Sequence, residues 1–287
     1  MNRPHDPLSG AAARDPRPPR GPSPVAAARS PVRSRTPSTD RESPVSTTDK
    51  PTVVLVHGAF ADGSSWSAVV ERLQRHGHRV LVPALPLRGL ASDAAYIRGV
   101  LDGVEGPIVL VGHSYGGAVI SHAATGAPRV KALVYIAAFV PDIGESTLGL
   151  TGKFPGSTLA EATTAQSYPL PGGGQGEELV IRQDVFRQQF ADGVPETTAQ
   201  VMAVGQRPIA VAALQEEATA AAWRDIPSWY LVATEDRNIP PAAERWMASR
   251  ADAHTVTVRA PHAVSVSDPG PVTDLVLRAV HEVRSGH

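Results

Sequence analysis

Cysteine is absent from the 287 residues. Disulfides, thiolate nucleophiles, Cys-ligated zinc and iron–sulfur clusters are therefore excluded together, while the redox compartment is left undecided. An excess of either charge is also missing. The 27 Lys+Arg against 28 Asp+Glu give a formal net charge of −1, so nothing electrostatic points to nucleic acid or another polyanion as a partner. No stretch approaches the roughly 18 continuous apolar residues of a membrane span. What remains is a chain that is 42% hydrophobic and 19% charged, able to bury a core and long enough for one large domain or two small ones.

Residues 1–50 are unlike the rest. They contain 10 of the 27 prolines and eight arginines but no Phe, Trp or Tyr. A segment so poor in large apolar side chains cannot offset its ordering entropy and reads as a disordered Pro/Arg/Ser-rich tail. Its charge is +4, from eight Arg and one Lys against five acids, which leaves −5 for the remainder. The apolar core of about 7–15 residues that a signal peptide needs is not there, and five acidic residues speak against a transit peptide. A solvated tail or an overlong start, on a cytoplasmic protein, is the expectation.

From Pro51 the pattern alternates. Val53-Val54-Leu55-Val56 is a continuous β-branched run, as in a parallel strand buried on both faces. Similar runs are Arg79–Val82, Ile108–Val111, Val130–Ala137, Trp229–Val232 and Thr255–Val258. Between them, Trp66, Val69, Val70 and Leu73 recur at helical spacing, as do Ile97, Val100, Leu101 and Val104, and Val272, Leu275, Val276 and Ala279. Strands alternating with helices imply an α/β fold with a mostly parallel six-stranded sheet and helices on both faces. The core falls at 51–140 and 223–287. Residues 141–222 break the alternation, with Pro169-Leu170-Pro171-Gly172-Gly173-Gly174 followed by helix-like stretches Glu177–Phe190 and Ile209–Ala222. They read as a mobile helical lid inserted over one end of the sheet, the glycine run being a linker.

The strongest chemical signal is Gly112-His113-Ser114-Tyr115-Gly116, placed between the strand Ile108–Val111 and the helical run Gly117–Thr125. A serine at a sharp strand-to-helix turn is exposed at the carboxyl edge of the sheet, and flanking glycines avoid collisions there. The Tyr115 backbone N–H then lies at a helix amino end, suited to an oxyanion. A serine hydroxyl needs a neutral imidazole beside it. Of ten histidines, His262 follows the last strand in a loop at that same edge. His113 inside the elbow points away and packs, and His57 suits a buried hydrogen-bonding role. The imidazole needs an acid. Asp236, after Trp229–Val232, is favoured by order and spacing over its neighbour Glu235 and over Asp142. A second oxyanion donor comes from His57-Gly58-Ala59-Phe60: Ala59, with Phe60 as the alternative. Gly58 and Gly63 have phosphate-loop spacing, but Ser64 stands where that loop's lysine belongs. Phe60, Phe154, Tyr168, Phe186, Phe190 and Met202 are candidates for an apolar pocket wall, and packing of the insertion explains each as well.

Together these residues resemble the α/β-hydrolase superfamily from Pro51 onward. Val56-His57-Gly58-Ala59, Val111-Gly112-His113-Ser114 and Thr234-Glu235-Asp236 are similar to the branch of plant methylesterases and hydroxynitrile lyases and its bacterial esterase-like relatives. Lyases of that branch carry threonine where Gly58 stands and lysine where Ala263 stands. Dehalogenases and epoxide hydrolases of the fold carry aspartate where Ser114 stands. The resemblance thus implies a cofactor-independent serine hydrolase, without metal, acting on a small to medium carboxylic ester through an acyl-enzyme. Carbon–carbon bond hydrolysis of a diketone, acyl transfer, and a ligand receptor with vestigial turnover use the same scaffold and stay open. The oligomeric state is not legible.

Overall fold

The computed structural model describes residues 50–286; the tail expected over 1–50 lies, but for Lys50, outside the described residues. Six strands form one sheet: β1 (Thr52–Val56), β2 (Val80–Leu81), β3 (Ile108–Ser114), β4 (Val130–Ala138), β8 (Ser228–Ala233) and β9 (His254–Val258). Their order is β2-β1-β3-β4-β8-β9, and every pairing is parallel. The six apolar runs are thus the six strands, with ends moved by one to three residues. The central β1 and β3 are buried along their whole length.

Alternation along these strands divides the core in two. Val53, Leu55, Val109 and Val111 face one side, with Trp66 just before α1 (Ser67–Arg75), Val69 and Leu73 on it, and Val272, Leu275 and Val276 on α11 (Pro269–Ser285). Val54, Val56 and Leu110 face the other, with Ile97 and Leu101 on α2 (Leu90–Asp102) and Val119 and Ile120 on α3 (Tyr115–Ala123). The period of two in a strand therefore feeds the two helical layers alternately. Each such Val, Leu or Ile is worth about 1.5–3 kcal/mol when buried. At the rims, β2 is only two residues long and β9 is half-exposed, as edge strands that resist further pairing tend to be.

Residues 141–222 differ from the helical expectation. They contain α4 (Thr147–Gly152), α5 (Leu159–Ala162), α6 (Gln183–Phe190), α7 (Glu196–Gly205) and α8 (Val211–Gln215). They also hold a three-stranded antiparallel sheet of β5 (Thr163–Pro169), β6 (Gln175–Ile181) and β7 (Ile209–Ala210). The stretch Glu177–Phe190 is a strand followed by a helix. Its cause is the glycine run read as a linker: Gly172, Gly173 and Gly174 all have φ between 91° and 101°. That backbone reverses the chain between β5 and β6, and Leu170 N–H donates to Gly174 O across the turn at 3.2 Å. Among the described residues, no helix is long and apolar enough to cross a membrane.

Candidate active site

The parallel sheet delivers its carboxyl ends to one rim, and β3 ends there in Ser114. Its backbone has φ 53° and ψ −125°, a conformation costing a non-glycine residue about 1–3 kcal/mol. The surroundings hold it. Phe139 N–H donates to Ser114 O at 3.1 Å, and a Cβ on Gly112 would meet Gly116 O at 2.6 Å. Tyr115 opens α3, so its N–H is among the four at a helix start without an intrahelical acceptor. Its side chain turns away from the rim, and its hydroxyl donates to Asp93 Oδ2 at 3.0 Å. Burial pushes both groups up, Asp93 and the Tyr115 phenol alike.

The loop after β1 lies directly against this turn. A Cβ at Gly58 would stand 2.6 Å from Ser114 Cβ and 2.9 Å from His113 O, so no larger residue fits without moving the serine. Phe60 N–H is already engaged, donating to Arg207 O at 3.1 Å. Ala59 N–H has no acceptor among the described residues. Of the two alternatives for a free donor, only Ala59 meets the requirement. His57 is fully buried. Its Nε2 accepts Leu85 N–H at 2.9 Å, which leaves Nδ1 to donate to Gly58 O at 2.9 Å. That fixes a neutral ring, and burial holds it below the ordinary histidine value. It is a brace for the loop, as its position suggests.

His262 and Asp236 meet below the rim, both side chains wholly inaccessible. Nδ1 lies 2.5 Å from Asp236 Oδ2. Asp236 Oδ1 accepts the N–H groups of Asn238 and Ile239 at 2.6 and 2.9 Å. The carboxylate thus makes Nδ1 the N–H and leaves Nε2 with the lone pair. The competing acids are elsewhere: Glu235 pairs with the exposed Arg259, and Asp142 with Arg224. His262 Nε2 is buried without a hydrogen-bond partner among the described residues. It is not hydrogen-bonded to the Ser114 hydroxyl, a bond that often tightens only when substrate is bound.

His113 does more than pack. With 1% exposure, its Nε2 donates to the His262 carbonyl at 2.9 Å, and its ring lies 4.7 Å from the His262 ring. It ties the loop bearing His262 to the residue beside Ser114. Its Nδ1 is buried and unpartnered, and burial, with the charge of a protonated His262 next, holds it well below the ordinary histidine range. Phe190 backs the pair, 5.1 Å from the His262 ring, and its carbonyl accepts Ala263 N–H at 2.9 Å.

Ser114 opens into a cavity of about 470 Å³. Ala59, Phe60, Phe139 and Ile239 from the core line it, as do Leu148, Phe154, Leu159 and Leu214 from the insertion. Its polar lining is neutral, with Thr151, Ser157, Thr163 and Asn238; among the described residues no charged side chain lines it. Of the expected wall residues, Phe60 and Phe154 are present and four are not. Phe186 and Phe190 are wholly buried behind the imidazole, 5.1 Å apart. Tyr168 stacks under the Arg88 guanidinium, 4.4 Å from its ring centre. Met202 lines a second cavity, of about 280 Å³, that shares Phe60 with the first. For Phe186 and Phe190 the packing alternative holds: their apolar area seats the insertion.

Two further groups near the site escaped the sequence reading. Trp246 packs on Phe154 at 5.9 Å, with Lys153 and Arg250 over its ring. Glu244 is a fully buried acid. Its signal was its spacing, three and four residues before Met247 and Ala248, an acid on the apolar face of a helix.

Residues 53–275 match the family model described as the alpha/beta hydrolase family. A carbendazim hydrolyzing esterase from Nocardioides sp. strain SG-4G is 39% identical over 113 residues, 35% of this chain and 47% of that protein. The chain thus matches just under half the length of that relative. A pyrethroid hydrolase from Sphingobium wenxiniae is 30% identical over 212 residues, 68% of this chain and 74% of the other. Polyneuridine aldehyde esterase superposes with a TM-score of 0.69 over 80% of this chain and 98% of its own, a likeness of fold at 18% identity.

Proposed function

The chain belongs to the alpha/beta hydrolase family and is an enzyme of that hydrolase class, and on that premise we propose that it cleaves uncharged carboxylic esters through an acyl-enzyme on Ser114. The observation that carries this reading is the pairing of His262 with Asp236. One imidazole nitrogen is committed to a buried carboxylate, and the other is buried without a hydrogen-bond partner among the described residues. His113, which bonds to the His262 carbonyl, is followed by a serine whose backbone is held in strained geometry.

In the reaction, Ser114 Oγ bonds to the ester carbonyl carbon as its proton passes to His262 Nε2. The carbonyl oxygen takes the negative charge and lies between the Ala59 and Tyr115 N–H groups, each such donor worth about 3–4 kcal/mol at the transition state. Asp236 stabilises the imidazolium through Nδ1–H. The carbon–oxygen bond to the alcohol then breaks, and Nε2 returns its proton to the departing oxygen. Water, losing a proton to the same nitrogen, attacks the acyl carbon. The acid leaves as Ser114 regains its proton. No step calls for a metal or an organic cofactor.

The cavity supports the substrate class. A carboxylate or ammonium group would meet no counter-charge there and would give up its hydration. A small to medium ester with an apolar acyl or alcohol part fits both the lining and the roughly 300–1,000 Å³ usual for ligand pockets. The relatives named for carbendazim and pyrethroid hydrolysis are in keeping with neutral substrates. Residues 141–222 act as the cap that selects among them. The test is labelling with a fluorophosphonate followed by peptide mapping. The label is expected on Ser114, and a protein that turns over p-nitrophenyl acetate while labelled elsewhere would refute the assignment.

A further inference from the structure

Beneath Asp236 lies a second carboxyl that the proposed mechanism does not use. Glu244 sits in the first turn of α9 (Pro241–Arg250), with no exposed surface. Its Oε2 accepts Ala233 N–H at 3.0 Å. Its Oε1 is buried and has no hydrogen-bond partner among the described residues. Three titratable or charged groups face it: Asp236 from the loop after β8, the Tyr230 phenol from β8, and Arg245 from the outer side of its own helix. The Tyr230 hydroxyl is already committed. It donates to Ala138 O at 2.5 Å and accepts Ala138 N–H at 3.1 Å.

Two carboxyl groups in one dry site do not both ionise at neutral pH. Which of them keeps a proton follows from the donors each receives. Asp236 accepts two backbone N–H groups and the His262 Nδ1–H. Glu244 accepts one backbone N–H, and its other oxygen is bare. The donors favour the charge on Asp236 and the proton on Glu244. A proton on Oε1 also turns an orphaned acceptor into a donor beside a carboxylate that can receive it. Burial, joined by the charge of Asp236, pushes Glu244 well above the ordinary 4.5 of a glutamate.

We infer that Glu244 is a neutral carboxylic acid backing Asp236, a positioning residue that fixes the orientation and charge of the acid facing His262. The positioning role rests on the proposed part of Asp236 in catalysis; the proton on Glu244 does not. A deprotonated Glu244 would place a second negative charge behind the imidazole. A missing one would leave Asp236 without its rear donor.

Glu244→Gln and Glu244→Leu in the full chain test both halves. Infrared difference spectra of wild type against Glu244→Gln at neutral pH should contain a protonated-acid carbonyl band lost in the variant. The second readout is thermal stability against pH. An unfolded glutamate releases its proton above 4.5 while the folded one retains it. The wild type therefore loses stability as pH rises from there towards the folded value. The midpoint of Glu244→Gln relative to wild type should climb as pH rises above 4.5. In ester turnover, Glu244→Leu should lower kcat about tenfold at unchanged KM, short of the hundredfold that an ångström-scale misplacement can bring. Glu244→Gln should restore the rate and leave the acid limb of the pH profile in place. No acid band, a midpoint difference independent of pH, or an acid limb moved downward in Glu244→Gln would show an ionised Glu244 and overturn the inference. A Glu244→Leu enzyme with wild-type kcat would overturn the positioning role. Should wild type itself hydrolyse no ester, the proposed function falls, while the band and the midpoints still decide where the proton sits.

Discussion

The two sides of the cavity are built differently. On the rim, Ser114 is 6% exposed and held by backbone and glycine contacts, and below it His262 and Asp236 are 0% and 4% exposed. On the insertion side, Leu148 is 50% exposed, Phe154 packs at a tilt on Trp246, and the residues come from short helices and a small hairpin sheet. The rim is over-determined and the wall is adjustable. Changes at the rim should therefore alter the rate of every substrate alike, and changes in the wall should alter which substrate is preferred.

The largest effect short of removing Ser114 or His262 is expected at Gly58. The added methyl of Gly58→Ala would overlap Ser114 Cβ, and moving the serine by an ångström costs about a hundredfold in kcat/KM. Comparison of kcat/KM across an ester panel checks this: a uniform loss sharpens the contrast, and a selective one breaks it. His113 comes next. His113→Leu removes the bond to the His262 carbonyl and should lower kcat about tenfold, whereas His113→Gln, which keeps a donor near the same place, should recover most of it. The same residue carries a pH signature. Its folded pKa lies below the unfolded 6.5, so the unfolded chain binds more protons and stability falls as pH drops below 6.5. The acid-side fall in melting midpoint should be shallower in His113→Gln. The smallest effect is expected in the wall. Phe154→Ala should leave acetate ester turnover within about threefold, in line with the modest energy of pocket contacts, and move the optimum towards longer acyl chains. An equal loss on all esters would place Phe154 with the rim.

The same contrast decides what could be seen in the chain beforehand. Val53–Val56 and Ile108–Val111 are legible because a strand buried on both faces must be apolar throughout, whatever surrounds it. The elbow is legible because its strain restricts the residues that can occupy it. His262 and Asp236 could be found because a parallel sheet sends every strand end to one rim. Order and spacing favour Asp236 over Glu235 in the sequence, and the contact of Glu235 with Arg259 shows where the competitor points. The wall was not legible. Phe186 and Phe190 carry the same apolar signal whether they line a cavity or back an imidazole, and tertiary contacts decided for the latter. Gly172–Gly174 reads as a linker, and the pairing of β6 with β5 and β7 makes it a hairpin turn. Glu244 was passed over because an acid in a helix is usually solvated.

The central claim is that the His262 imidazole acts on the Ser114 hydroxyl at one rim of the sheet. It is tested most directly by the rate of fluorophosphonate labelling of Ser114 in wild type and in a folded His262→Ala variant. Loss of the base should slow labelling by about a hundredfold or more while the melting curve stays cooperative. Labelling of Ser114 at the wild-type rate without His262 would contradict it.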